Sequence, residues 1–205
     1  MDSITRNVLL VGVGGQGTIL AGRVLSEGFL AAGFDVKMSE IHGMAQRGGS
    51  VSTHVRFGEQ VYSPVICRGE ADLLVAFEKL EAVRWLPWLA PAGKLLVNDL
   101  EIPPLPVMLG LMKYPEAVET ALAPVVPKLR VVQASRIAEN MGNPRGMNMI
   151  LLGAAVKILG LEDGPWPETL RSCLPADALP MNEKAFLKGM SLANGGSEGR
   201  TGTSA

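Results

Sequence analysis

Glycines 12, 14 and 17 stand in the spacing G-x-G-x-x-G within GVGGQG, directly after a short apolar run and directly before an amphipathic one. Each position suits a different demand on the backbone, with a tight turn at Gly12, close approach of a ligand at Gly14, and close packing of helix on strand at Gly17. Free amides and the dipole of a helix starting there favour an anion, and a diphosphate is the natural occupant. Gly15 and Gln16 complete the candidate cofactor-binding set. Two uses stay open from the spacing alone: an anion or dinucleotide site, or a turn that merely lets the first helix cross the sheet closely.

A second polar group follows within the next strand and loop. Glu40, His42, Gln46 and Arg47 fall at the carboxyl end of the second expected strand, where open α/β sheets place their ligands. His42 is of the residue type that can titrate near neutrality, and Arg47, before Gly48 and Gly49, offers a bidentate donor to phosphate or carboxylate. Open beside these uses are a structural hydrogen bond for His42 and a pairing of Arg47 with Glu40 that fixes the loop or a subunit contact. His42 and Arg47 are the candidate active-site residues. Glu40 occupies the position from which an acid would hold the ribose hydroxyls of NAD, so an autonomous dehydrogenase is one reading. A nucleotide-binding scaffold without redox chemistry is another. His54 has no carboxylate or serine partner at a readable spacing and is assigned no chemistry. No G-x-S-x-G, H-E-x-x-H or paired-acid signature occurs, so a complete catalytic set is absent.

The elements that must position these residues read as a doubly wound α/β fold, mostly parallel, with an inserted β-hairpin. Residues 7–13 (NVLLVGV) form a strand of the kind buried on both faces. Residues 16–32 place Ile19, Leu20, Val24, Leu25 and Phe29 on one helical face before Gly33, and 34–38 return as a second strand. Residues 50–57 alternate strictly and are expected to turn at Gly58-Glu59 into a partner strand over 60–65. Strands are expected again at 72–77, 94–98, 107–111 and 129–134, with helices over 78–89, 114–126, from Ser135, 143–160 and 181–193. The organisation is one domain over 1–190, followed by a Gly/Ser/Thr-rich tail over 191–205 expected to be disordered.

Composition narrows the function classes. The chain has 205 residues, 47% hydrophobic, enough for a core without metals or disulfides. Nineteen basic against twenty acidic residues give a net charge of -1, which removes the driving force for non-specific nucleic-acid binding. The two cysteines, Cys67 and Cys173, lie far apart, so a four-thiolate cluster has to sit on another chain. The apolar stretch over 147–161 is interrupted by Asn148 and Lys157 and is too short to span a bilayer. The expectation is a cytoplasmic protein that does not act alone.

GVGGQG at 12–17 and SEIHGMAQRGGSV at 39–51 together resemble the gamma-type subunit of thiamine-diphosphate-dependent 2-oxoacid:ferredoxin oxidoreductases. EADLLVAFEKLEA at 70–82, GKLLVN at 93–98, NMILLGA at 148–154 and NEKAFLKG at 182–189 extend the resemblance over nearly the whole chain. HGMAQRGG is its most specific element and favours the branch acting on arylpyruvates such as indolepyruvate. The resemblance implies a Rossmann-like fold and an oxidative decarboxylation in which coenzyme A takes the acyl group and ferredoxin the electrons. It places thiamine diphosphate, Mg and the iron-sulfur clusters on a large partner subunit. Gly14 to Gly17 would then meet either the coenzyme A phosphates or that partner, and His42 and Arg47 would face the shared active-site region.

Overall fold

A computed structural model describes residues 5–42 and 48–192. Six strands form one sheet in the order β2-β3-β1-β4-β5-β6. The strands are β1 (Arg6–Val13), β2 (Asp35–His42), β3 (Ser50–Gly58), β4 (Ala71–Ala76), β5 (Leu89–Asn98) and β6 (Leu129–Val132). β1, β4, β5 and β6 run parallel to their neighbours in that group, whereas β3 is antiparallel to both β1 and β2.

The sheet divides two cores, and the period of two along β1 shows why. Val8 and Leu10 face a cluster containing Leu25, Phe29, Phe57, Ile150 and Phe186, while Leu9 and Val11 face one containing Ala82, Leu122 and Val126. Helix α1 (Thr18–Ala31) lies on the first face with the later helices α5 (Ala134–Asn140), α6 (Met147–Leu159), α7 (Trp166–Cys173) and α8 (Leu179–Leu192). The second face is covered by α2 (Lys79–Trp85) and α4 (Val118–Leu122). Phe29 stacks on Phe57 at 3.8 Å between centroids and meets Trp166 edge-on at 5.9 Å, which ties α1, β3 and α7 together. In the middle of this layer α6 and α8 cross at two glycines: a Cβ on Gly153 would lie 2.0 Å from the Phe186 carbonyl oxygen, and one on Gly189 would lie 1.9 Å from that of Ile150. No helix among the described residues is long and apolar enough to cross a membrane.

Several expectations are corrected. The antiparallel hairpin exists, but β3 pairs with β2 and then β1, not with residues 60–65. Residues 60–65 are not a strand, because side chains satisfy their backbone instead: Asp35 accepts from the Val61 amide at 2.7 Å, and Arg56 donates to the carbonyls of Ser63 and Val65 at 3.2 and 3.1 Å. Pro64 has no amide to give a ladder. The expected strand at 107–111 is instead a short helix, α3 (Leu105–Met108), started by Pro106 in its first turn and stopped at Gly110, φ +71°. The helix expected over 114–126 shrinks to α4, since Ala117 takes a left-handed φ of 53° just before it. β2 continues to His42 rather than ending at Met38. α8 includes Ser191 and Leu192, so the tail cannot begin at 191; residues 193–205 lie outside the described residues. α7 has no counterpart among the expected helices.

Candidate functional site

The glycine turn sits at the carboxyl end of β1, between helices that leave the sheet in opposite directions: α1 toward β2, α2 toward β5. That reversal is where open α/β sheets form a crevice. Gly17 caps α1 at φ 80°, a backbone that L side chains rarely adopt, and its Cβ would lie 2.4 Å from Asn148 Nδ2 of α6. No side chain caps this end of α1, and no acid stands in its first turn, so its amides carry an uncompensated partial positive charge.

Only part of G-x-G-x-x-G reaches the surface. Gly12 is buried, with Gln16 Oε1, Phe77 and Thr18 filling the space a Cβ would need. Gly15 is the exposed tip at φ 102°. Gln16 spends its amide on the fold: Oε1 accepts from the Val13 amide at 2.7 Å, and Nε2 donates to the Phe77 carbonyl at 3.0 Å. Asn98 donates to the same carbonyl at 3.1 Å and to Ser135 Oγ at 2.9 Å, and it accepts from the Ser135 amide at 3.2 Å. The carboxyl ends of β1, β4 and β5 are thereby stapled to one another and to α5. Both atoms of the Gln16 side-chain amide, one of the candidate cofactor-binding residues, are thus engaged within the fold.

The turn is also joined to the loop after β2. Gly14 donates its amide to the Gly49 carbonyl at 2.9 Å. In the register, His42 pairs with Val51 and Val51 pairs with Gly12, which puts the backbone of His42 in the same row as the turn. Gln46 and Arg47 lie outside the described residues. Glu40 is placed differently. It pairs with Thr53, which pairs with Leu10, so it is exposed, two residues back along the strand and two strands across from β1. Two strand spacings are about 10 Å. An acid on a strand adjacent to β1 would reach the ribose of a dinucleotide on the turn; β3, inserted between, takes that place, and the NAD reading loses its acid.

Three side chains with no role in the sequence analysis stand beside the turn, joined to it through the pairing of Ser50 with Val13: Ser50, Glu78 and Glu81. Glu78 is the N-cap of α2 and is almost fully buried; its Oε1 accepts from the Glu81 amide at 2.6 Å and its Oε2 from the Tyr114 hydroxyl at 3.0 Å. That hydroxyl is held well above its ordinary pKa by burial and by the neighbouring carboxylate. Glu81, also buried, accepts a short hydrogen bond from Ser50 Oγ, one from Trp85 Nε1 at 3.2 Å, and pairs with Arg84 at 3.0 Å. The visible signal was an acid three residues from another at the start of a helix, directly after a buried strand, in FEKLE. Beside them Lys79 collects Asp99, Glu101 and Glu119 at 2.6, 3.2 and 3.1 Å, and the ammonium in turn holds the Asp99 carboxyl below its usual range. His54 is buried in β3, its Nδ1 accepting from the Ile66 amide at 3.1 Å; burial keeps it neutral by lowering its pKa. It is structural.

Burial pushes the Glu81 carboxyl above 4.5, more than Ser50, Arg84 and Trp85 pull it down. The folded protein then holds a proton that the unfolded chain releases from pH 4.5 upward. Stability from this group is fully present below 4.5 and is lost as pH rises through the folded value. Glu81→Gln is therefore expected to flatten the decline: denaturant titrations of parent and variant at a series of pH values should give a difference that shifts in the variant's favour as pH rises above 4.5. A difference that stays constant with pH contradicts the assignment.

A Rossmann-like α/β domain with an antiparallel strand wedged beside β1, and a glycine turn bonded to the loop after β2, is the class of protein these features define. Solved structures share the fold: the gamma subunit of a keto/oxoacid ferredoxin oxidoreductase from Geobacter sulfurreducens superposes with a TM-score of 0.69 at 23% identity, covering 92% of this chain and 98% of that one. The 2-oxoglutarate:ferredoxin oxidoreductase from Magnetococcus marinus, with 2-oxoglutarate, coenzyme A and succinyl-CoA bound, superposes at 0.70 and 21% identity over 95% of this chain and 32% of that one. In sequence, the chain is 39% identical over 191 residues to indolepyruvate oxidoreductase subunit IorB of Methanothermobacter thermautotrophicus, covering 91% of this chain and 97% of the relative. It is 36% identical over 194 residues to the subunit of that name from Thermococcus kodakarensis, covering 91% and 95%. Residues 7–192 match the family model described as pyruvate ferredoxin/flavodoxin oxidoreductase, and the chain belongs to that family.

Proposed function

We propose that this chain is the small subunit of an indolepyruvate oxidoreductase that works in the cytoplasm with a large subunit, oxidatively decarboxylating arylpyruvates to acyl-CoA and reducing ferredoxin. The backbone bond from Gly14 to Gly49 carries the reading, because it unites the glycine turn with the end of the HGMAQRGG segment in one surface. The relatives' shared description as an indolepyruvate oxidoreductase subunit supports the substrate.

The large subunit would hold thiamine diphosphate with Mg and the iron-sulfur clusters, which would supply carbanion stabilisation at the 2-oxo carbon and the path for the electrons. The chain's own cysteines fit this division: Cys67 is exposed and Cys173 is half-buried, both as free thiols, two short of a four-thiolate set. This chain's residues bind and position. The exposed tip at Gly15 and the uncapped start of α1 offer amides to the phosphates of coenzyme A. Gln16 and Asn98 brace that edge through the Phe77 carbonyl, and the role assigned to His42 and Arg47 is to serve the active site shared with the partner.

The docking face for the large subunit includes α3 and the turn after it. Leu105, Met108, Leu109, Leu111 and Met112 are all 63–74% exposed within eight residues, a density of uncovered apolar side chains that marks an interaction surface. Co-expression with the large subunit, followed by dye reduction with a panel of 2-oxoacids, tests the whole reading. Expected are a stable complex, activity that requires coenzyme A and both chains, and preference for indolepyruvate. Arylpyruvate oxidation by the isolated chain, or a complex inert toward every arylpyruvate, overturns it.

A further inference from the structure

At the opposite end of the sheet, where β5 and β6 begin and α6 ends, Lys94, Lys128, Arg130 and Lys157 line a groove of about 450 Å³, with Leu129 and Ile158 among its apolar walls. The volume is that of a small-molecule site. Arg6 of β1 lies close enough to act on Lys94. Neutral carbonyls receive three of these cations: Lys94 donates to that of Ile158 at 2.8 Å, Lys128 to that of Ala92 at 3.2 Å and Arg6 to that of Leu159 at 3.0 Å. Lys157 engages a carboxylate, Glu162.

In a chain of net charge -1, five cationic side chains thus gather around one groove. Lys94, half-buried there, feels the consequence: burial first, then Lys128, Arg6 and Arg130, hold its ammonium below the usual pKa. Backbone carbonyls at the end of α6 anchor Lys94 and Arg6 but do not neutralise them. A multiply charged anion would.

We propose that this basal groove binds a small molecule carrying a linear di- or triphosphate. A single carboxylate would meet one or two of the cations; a phosphate chain spaces several charges along the groove and suits the point charges of Lys94 and Lys128. The concavity and the depth of Lys94 favour a thin ligand over the convex acidic surface of a protein. This site is separate from the glycine turn and does not depend on the function proposed above.

Calorimetric titration of the full-length chain with tripolyphosphate and with ATP, in about 0.15 M salt where exposed charges are largely screened, tests it. Expected is saturable one-site binding, with citrate at least about tenfold weaker. Lys128→Glu with Arg130→Glu, both on exposed side chains, should weaken binding by about tenfold or more, each reversal replacing attraction with repulsion. Thermal melts should leave the fold intact; if the double variant does not fold, Lys128→Gln alone should still lower the affinity measurably. ATP binding with no tripolyphosphate binding would mean recognition of the base elsewhere and overturn the proposal. So would no saturable binding, binding insensitive to the variants, or variants that weaken only assembly with the large subunit.

Discussion

Alanine at position 189 is expected to destabilise the isolated chain by about 3 kcal/mol, at the upper end of what overpacking costs, lowering its melting temperature by roughly 6–12 °C for a domain of this size. The obstacle is backbone. The new Cβ would stand 1.9 Å from the Ile150 carbonyl oxygen, which no rotamer change can move away, so α6 and α8 must separate. Separation opens gaps around Ile150, Ala154 and Phe186, all of them buried. The gain in helix propensity from glycine to alanine, up to about 1 kcal/mol, offsets only part of this. Gly153→Ala meets the same crossing from the other side, with the Phe186 carbonyl oxygen 2.0 Å from its Cβ. Once one alanine has pushed the helices apart, the second should add less, so the double variant is expected to lose distinctly less than the sum of the singles. Melts of all four proteins check this, and a Gly189→Ala chain that unfolds together with the parent would refute the crossing as described.

Charge placed on the apolar strip should break the complex while sparing the fold. Leu109→Asp with Met112→Asp changes two side chains that are 63% and 64% exposed, so the isolated chain should melt close to the parent. Buried against a large subunit, two anchors of this kind carry about 2 kcal/mol each or more, and an unpaired carboxylate adds desolvation to the loss. The expected result is a rise of at least about a hundredfold in the dissociation constant, read as loss of co-purification and of coenzyme A-dependent dye reduction together. Stoichiometric co-purification of the double variant would move the docking face elsewhere on the molecule.

The parts of the fold set by local pattern were legible. The Val/Leu run over 7–13 has the composition of a doubly buried strand, and the glycines after it that of a turn into a helix, as β1 and α1 are. What was not legible depended on partner choice. The alternation of 50–57 identifies a strand but says nothing of which edge it joins; the answer lay in Asp35, Arg56 and Pro64, which deny residues 60–65 a ladder. The same wedge explains why Glu40 looked like a ribose ligand in one dimension and stands two strands away in three. The local partners of Glu78 and Glu81, the Glu81 amide, Arg84 and Trp85, suit an ordinary exposed helix start, and what marks the two acids as buried, Tyr114 and Ser50, stands 36 and 31 residues away. The motif places Gln16 at the turn, but its hydrogen bond to the Phe77 carbonyl, 61 residues on, has no signal in the local sequence.

The strand that arrives third in the chain and lodges second in the sheet has a bearing on how this molecule can be divided. In a minimal nucleotide-binding half the first two strands lie side by side and the unit is whole once the second is made. Here a fragment stopping short of Ser50 would leave β1 and β2 with a vacant slot between them, two raw edges inviting another chain. Gly49, next to the keystone's first residue, also accepts the amide of Gly14, so the tie to the glycine turn and the closing of the sheet belong to one uninterrupted stretch of polypeptide, Gly49 to Gly58.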